Sequence, residues 1–320
     1  MFREVSIYGT FAVMKVAIVQ DGPVYLNADA TLDKTISYIH EAKDKSCDLI
    51  VFGENWFSGY PIWLDVCKDA NLWEDPDIRD LWAQTADNGL APDSHHMKAL
   101  QSALSTTGLY AIIGANEFQA TGAGNGTIYN TIYTIGPTGE ILNHHRKLMP
   151  TYTEKLVHGH GDGAGLHAIE TPKGRVGSLI CWEHWMPLTR QAMHDQGEDL
   201  HIALWPFVKD THQLASRHYA YEGRCFVVAV GQVMHKDELP QQLEISDKIN
   251  IHESGLILRG GSSVYGPDGT ILLEPKYLER GLFIIDLDLR DRKKHLMNLA
   301  VSGHYNRPDV FDFNVNKKRK

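Results

Sequence analysis

The sequence predicts a layered α/β fold with mixed sheets, on three observations. Short apolar runs of strand length alternate with longer runs of helical spacing through the first two thirds of the chain. Three turns pair proline with glycine between β-rich flanks, which adds antiparallel hairpins to the strands that helices connect. At 320 residues the chain can bury a sizeable core without disulfides or metals.

The first strand is read at Met14–Gln20, around Val16-Ala17-Ile18-Val19. Residues 1–13 precede it as an expected N-terminal extension. Arg3 and Glu4 come early there and no continuous apolar core follows, so the segment does not read as a signal peptide. Leu32, Ile36, Ile39 and Lys43 then follow helical spacing with charges between them, and Asp48 to Phe52 returns to a strand. Met97, Leu100, Ala103 and Leu104 give a second helical face, followed by a strand from Leu109 to Gly114. The turns are Gly136-Pro137-Thr138-Gly139, Thr171-Pro172-Lys173-Gly174 and Gly266-Pro267-Asp268-Gly269. In each, proline presets one corner and glycine takes the unusual dihedral. No repeat or low-complexity linker is visible. One domain over residues 14–290 is expected, then a C-terminal segment, 291–320. Its basic end, Lys317-Lys318-Arg319-Lys320, reads as a frayed, solvated tail.

Composition excludes several classes of function. The apolar fraction of 43% and charged fraction of 22% are those of an ordinary globular protein. A net charge of −9 argues against a nucleic-acid-binding surface. No apolar run approaches the length of a membrane-spanning helix. Cys47, Cys67, Cys181 and Cys225 make neither a disulfide framework nor a CxxC pair, so a reducing, cytoplasmic setting is expected.

Three segments carry chemistry. The apolar run Val176–Ile180 delivers Cys181 to a tight exit, Cys181-Trp182-Glu183-His184-Trp185-Met186-Pro187, with a helix expected after it. A thiol near the positive end of a helix is expected to favour thiolate. The run Leu49–Phe52 delivers Glu54 to a loop of aromatics, Gly and Pro, and a carboxylate at the end of a buried strand needs a partner or a task. His144-His145-Arg146-Lys147-Leu148-Met149-Pro150-Thr151 follows a hairpin and supplies Lys147, with Glu154 one short loop later. Taken singly, these residues also read as a core cysteine, a loop charge and a solvated ion pair.

Together, and in this order, the three segments resemble the nitrilase branch of the carbon–nitrogen hydrolase superfamily. Gly159-His160-Gly161-Asp162-Gly163, Leu204-Trp205-Pro206, Glu222-Gly223-Arg224-Cys225-Phe226 and Ser302-Gly303-His304-Tyr305-Asn306-Arg307-Pro308-Asp309 extend the resemblance from about Met14 to Val310. It implies a four-layer α-β-β-α sandwich, pairing into homodimers or larger homo-oligomers, with residues 291–320 as an assembly tail. It also implies hydrolysis of a small-molecule nitrile to the acid and ammonia without a cofactor. In that reading Cys181 is the nucleophile, Glu54 the general base, Lys147 the stabiliser of developing charge, and Glu154 the group that orients Lys147. The Trp182 amide adds a second donor, and Trp56, Tyr60, Trp182 and Trp185 are expected around the substrate.

Other readings are an amidase or cyanide-hydrolysing relative, a catalytically silent scaffold that has kept the fold, and a metalloprotein. Glu183 reads as a cap or as a partner for Arg or His. His184 is the tempting partner of a Cys–His dyad, although the resemblance gives the base role to Glu54. His144, His145, His158, His160 and Asp162 cluster in sequence, but in no spacing typical of a metal site, and none is expected to bind metal.

Overall fold

The computed structural model describes residues 13–241 and 243–319. The expected N-terminal extension therefore lies outside the described residues, apart from Val13, which opens the first strand. In chain order the elements are β1 (Val13–Gln20), α1 (Ala28–Asp44), β2 (Leu49–Val51), α2 (Trp63–Val66), α3 (Pro76–Asp87), α4 (His95–Thr107), β3 (Tyr110–Gln119), β4 (Thr127–Ile135) and β5 (Ile141–Arg146). The second half holds β6 (Ile169–Thr171), β7 (Gly174–Ile180), α5 (Pro187–His194), β8 (Leu200–Leu204), α6 (Asp210–Gly223), β9 (Phe226–Val230), β10 (Val233–His235), β11 (Leu256–Tyr265), β12 (Ile271–Tyr277), β13 (Gly281–Asp288) and α7 (Arg292–His295).

Two mixed sheets form. One has the order β13-β1-β2-β3-β4-β5, and the other the order β10-β11-β9-β8-β7-β6 with β12 also on β11. The central strands β1, β2 and β3 run parallel, as do β7, β8 and β9. All five residues of β8 and of β9 are buried, which is why these strands read as unbroken apolar runs. The three Pro–Gly turns close the antiparallel pairs β4–β5, β6–β7 and β11–β12 as expected.

The sheets face each other. Val16, Ile18, Val51 and Ile112 of the first sheet and Leu179, Ile202 and Val228 of the second share one core. Alternate residues of the first sheet, Ala17, Val19, Ile50 and Ile113, point the other way and pack against Ile39 of α1 and Met97, Leu100 and Leu104 of α4. Ala192 and Met193 of α5 and Ala215, Tyr219 and Ala220 of α6 cover the second sheet. This is the four-layer α-β-β-α arrangement. Alternate residues of the central strands feed the two faces of each sheet, and the facing sheet and the outer helices bury one face each.

The helices start where side chains cap them. Asn27 accepts from the Ala30 amide, Asp75 from Asp77 and Ile78, and Ser94 from Met97. Gly108 ends α4 in the left-handed region. Among the described residues no helix is long and apolar enough to cross a membrane.

The basic C-terminal end departs from the expected frayed tail. Phe313 and Val315 pack against the inter-sheet core. Arg319 pairs with Asp162 at 3.2 Å and donates to the His144 carbonyl. The segment is held down by two apolar side chains and one buried carboxylate, features that its run of charges hid.

Candidate active site

Four of the sequence-predicted residues meet in one buried cluster, of which Glu154 and Cys181 line a cavity and Glu54 and Lys147 lie behind them. Glu54 follows β2, Lys147 follows β5, Glu154 sits in the 3₁₀ turn Tyr152–Leu156, and Cys181 follows β7. The sulfur of Cys181 and one carboxylate oxygen each of Glu54 and Glu154 lie within 4.8 Å of one another. Lys147 Nζ donates to Glu54 Oε1 at 3.0 Å and to Glu154 Oε2 at 2.7 Å. All four side chains are buried. No two of β2, β5 and β7 are neighbours: β2 and β5 lie in one sheet and β7 in the other, so the groups converge because the two sheets face each other.

The loop backbones hold each group in place. Asn55 is in the left-handed region and donates to Asn116 Oδ1 at 2.9 Å, while Asn116 donates to the carbonyls of Phe57 and Gly59. Gln232 donates to the Glu54 carbonyl. Lys147 is fixed from below by the glycine-rich stretch: the Gly161 amide donates to the Lys147 carbonyl at 2.8 Å. A Cβ at Gly161 would come within 2.1 Å of the Arg146 carbonyl oxygen, so only glycine fits there. Cys181 itself takes φ +50°. A cysteine pays about 1 kcal/mol or more of strain for that, and such residues persist where the surroundings over-determine them.

Electrostatics set the proton inventory. Burial pushes Glu54 up to about 7, against the pull of Lys147. Its Oε1 accepts from Lys147 and from Asn130 Nδ2 at 2.8 Å. Its Oε2 is buried without a partner among the described residues, open to a proton. Burial alone would discharge Lys147, but Glu154 and Glu54 together outweigh it and keep the ammonium. Glu154 is buried too, yet Lys147 holds it below the usual carboxylate range. The third Nζ–H of Lys147 has no acceptor among the described residues.

One expectation is reversed. Burial, and then the charge of Glu54, raise the Cys181 thiol well above its ordinary value, so the resting group is a thiol. The element after Cys181 is a single 3₁₀ turn, Cys181–Trp185, too short and too buried to stabilise a thiolate; α5 starts only at Pro187.

The remaining residues sort by geometry. Tyr60 lines the cavity and donates to Glu154 Oε1 at 3.0 Å. Trp182 also lines it and is about half exposed, and its amide hydrogen-bonds the Cys181 sulfur. Trp56 does not reach the cavity. Its ring is buried with Phe52 in the core on the α1 side, and its Nε1 donates to Thr35 at 2.8 Å. The left-handed turn at Asn55 sends it to the opposite face of the sheet from Glu54. Trp185, at the far end of the 3₁₀ turn, is partly exposed and is not among the lining residues.

Glu183 accepts from His145 at 2.9 Å and from the amides of Ile180 and Leu148, each at 2.8 Å. It ties the Cys181 turn to the Lys147 loop. His184 donates to the Cys181 carbonyl, and its other nitrogen meets His201, so it is not a partner of the thiol. The histidines weighed as metal ligands disperse: His144 meets Glu117, His145 Glu183 and His158 Asn116. Glu54, Glu154 and Cys181 are a grouping that could hold a cation, and the Lys147 ammonium already lies on both carboxylates.

Sequence reading missed Asn130, which sits on β4 and fixes the Glu54 carboxylate, and also Phe207, His212 and Leu258, which are among the residues lining a cavity of about 170 Å³. Asn130 left a signal, a buried amide inside an apolar strand. Leu258 left none, because its place depends on how β11 crosses the second sheet.

Residues 15–294 match the family model described as carbon–nitrogen hydrolase. The chain is 34% identical to an aliphatic nitrilase of Sinorhizobium fredii over 96% of each chain. It is 35% identical to a protein named nitrilase 2 from an unknown prokaryotic organism, over 98% of this chain and 95% of that one. It is 34% identical to a nitrilase of Pseudomonas syringae over 93% of this chain and 88% of that one. Among solved structures, a carbon–nitrogen hydrolase of Helicobacter pylori superposes with a TM-score of 0.71 at 17% identity, covering 94% of this chain and 97% of that one. The C. elegans NitFhit protein superposes with a TM-score of 0.70 at 18% identity, covering 97% of this chain and 68% of that one. These two likenesses concern the fold.

Proposed function

This chain belongs to the nitrilase branch of the carbon–nitrogen hydrolase family, and from that premise we propose that it hydrolyses a nitrile to the carboxylic acid and ammonia with Cys181 as nucleophile. The observation that carries the reading is the convergence of Cys181, Glu54, Lys147 and Glu154 in one buried cluster, beside relatives named as nitrilases that match over nearly the whole chain.

The chemistry follows from the groups. Glu54, with its free Oε2, takes the thiol proton as sulfur bonds to the nitrile carbon. A positioned base of this kind is worth about 10²–10⁴ in rate. One π pair moves onto nitrogen, where the third N–H of Lys147 and the Trp182 amide meet it, and Glu54 passes the thiol proton on to nitrogen to give a thioimidate. Water adds as Glu54 takes its proton; both water protons end on nitrogen, relayed by Glu54, the C–N bond breaks, and ammonia departs to leave a thioester. A second water, activated in the same way, breaks the C–S bond and releases the acid. Glu154 holds Lys147 and is itself held by Tyr60 and the Thr151 amide. The cavity of about 170 Å³ is smaller than the ~300 Å³ and above of drug-sized pockets, and suits a compact nitrile.

The protein works as a cytoplasmic homo-oligomer in this reading. Four free cysteines fit a reducing compartment. Exposed Leu188 of α5, Leu214 and Tyr221 of α6, and Tyr305 and Phe311 of the C-terminal segment supply apolar surface for a second copy, with residues 291–320 taking part in assembly. The test is ammonia and acid release from aliphatic, arylacetyl and aromatic nitriles against the matching amides. Turnover of amides without nitriles overturns the proposal in favour of an amidase.

A further inference from the structure

Behind the nucleophile, a fully buried chain of polar side chains links three elements. His184 Nδ1 lies 2.7 Å from the Cys181 carbonyl oxygen, and His184 Nε2 lies 3.0 Å from His201 Nε2. His201 Nδ1 lies 2.7 Å from Glu198 Oε1, and the Tyr219 hydroxyl donates to Glu198 Oε2 at 2.6 Å. His184 is in the nucleophile turn, His201 on β8 and Tyr219 on α6, and none is more than 2% exposed, Glu198 included. Ring stacking locks the rotamers: His184 on Trp205 and His201 on Tyr219. A Cβ on Gly177 of β7 would fall 1.7 Å from Glu198 Oε1, so glycine there is what lets the acid in.

The direction of every proton in this chain follows from its first contact. A carbonyl oxygen only accepts, so His184 Nδ1 carries hydrogen. In a neutral ring its Nε2 is then an acceptor, so His201 Nε2 must donate. That leaves His201 Nδ1 as an acceptor, and the atom facing it, Glu198 Oε1, must donate in turn, which a carboxylate cannot do. Arrangements with an ionised Glu198 put an imidazolium and a carboxylate into a site without water-facing surface. Burial disfavours both charges, pushing Glu198 up to about 8 and His184 down to about 3.

We infer that Glu198 is held as a neutral acid which orders His201 and His184, and that this chain fixes the Cys181–Trp182 peptide so that the Trp182 amide faces the reacting atom. The link is the planarity of the trans peptide. Its C=O and N–H point to opposite sides, so anchoring the Cys181 carbonyl on His184 turns the Trp182 N–H towards the sulfur, where it hydrogen-bonds. The same anchor supports the left-handed backbone at Cys181. Glu198, His201 and His184 are positioning residues; the group that meets the substrate is the amide. The inference rests on the proposed chemistry only in that negative charge develops on the nitrogen or oxygen bound to the carbon the thiol attacks.

The test compares two reactions of Cys181 in three variants of the full chain. Nitrile turnover builds charge that the Trp182 amide must meet, whereas alkylation of the thiol by iodoacetamide expels iodide and builds none there. His184→Phe keeps the stacking and loses the donor. It is expected to lower kcat at least tenfold, towards the ~10²–10³ of deleting such a donor, with little change in KM or in the alkylation rate. His201→Phe is expected to act in the same direction but less. Glu198→Gln, whose amide donates to His201 and whose carbonyl accepts from Tyr219, is expected to keep kcat within about threefold, as a neutral stand-in for a protonated acid. Turnover and alkylation falling together in His184→Phe would make the chain merely structural. A Glu198→Gln loss as large as that of His184→Phe would mean an ionised Glu198. Either result overturns the inference. A parent enzyme that cleaves amides and not nitriles refutes the substrate instead, and the same variants are then judged on the amide.

Discussion

Replacing Lys147 by methionine removes the ammonium while keeping a side chain of similar length. Glu54 and Glu154 are then left facing each other, buried, with no cation between them. Removing one partner of a buried ion pair costs about 3–5 kcal/mol when the other charge stays in place. Here the carboxylates can escape by taking protons. Their folded-state pKa values rise above the unfolded ones, so the folded variant binds more protons than the unfolded chain and its stability falls as pH rises. The variant is therefore expected to melt close to the parent near pH 5 and to fall behind by most of that 3–5 kcal/mol by pH 8. Turnover should fall by about 10²–10³, the usual cost of losing one preorganised donor to developing charge. Differential scanning calorimetry across pH 5–8, with ammonia release from a nitrile at each pH, reads both effects. A destabilisation of the same size at every pH, or a variant with kcat within tenfold of the parent, refutes the reasoning.

Cys181→Ala should abolish turnover and the mass increment left by an electrophilic probe, while Cys47, Cys67 and Cys225, all buried, leave labelling of the native protein unchanged when substituted; intact-mass spectrometry reads this. The limb of kcat/KM on the acid side should bend near pH 7, because Glu54 is pushed up to about 7 and serves as base only when ionised. A flat profile from pH 5.5 to 8 would count against Glu54 as the base. Trp56→Phe should lower stability by about 1–3 kcal/mol, through lost ring volume and the lost hydrogen bond to Thr35, and leave KM for a panel of nitriles unchanged. A shift in substrate preference would place Trp56 nearer the cavity than its packing does.

Local chemistry was legible before any coordinates. Periodicity gave α1 and α4 and the strands on either side of them, and proline with glycine marked the three hairpins, because both signals are carried by neighbouring residues. Glu54, Lys147, Glu154 and Cys181 could be picked out because reactive side chains at the ends of apolar strands are unusual, and the order of the segments resembled a known family. The thiol's protonation, the retreat of Trp56 into the core and the pinning of the C-terminal end could not be read that way. Each depends on what lies across the sheet or beneath the loop.

The sequence by itself determined which groups stand at the ends of which strands, since a run of apolar residues sets its own length and its own exit. Tertiary structure decided what surrounds those groups. Desolvation of Glu54 and Cys181, the ammonium shared by two carboxylates, and the hydrogen-bonded chain from Cys181 to Tyr219 join residues from 3 to 178 positions apart in sequence, most of them on different elements. Burial and charge act through space at a few ångströms, and which residues come that close is fixed only when the two sheets stack.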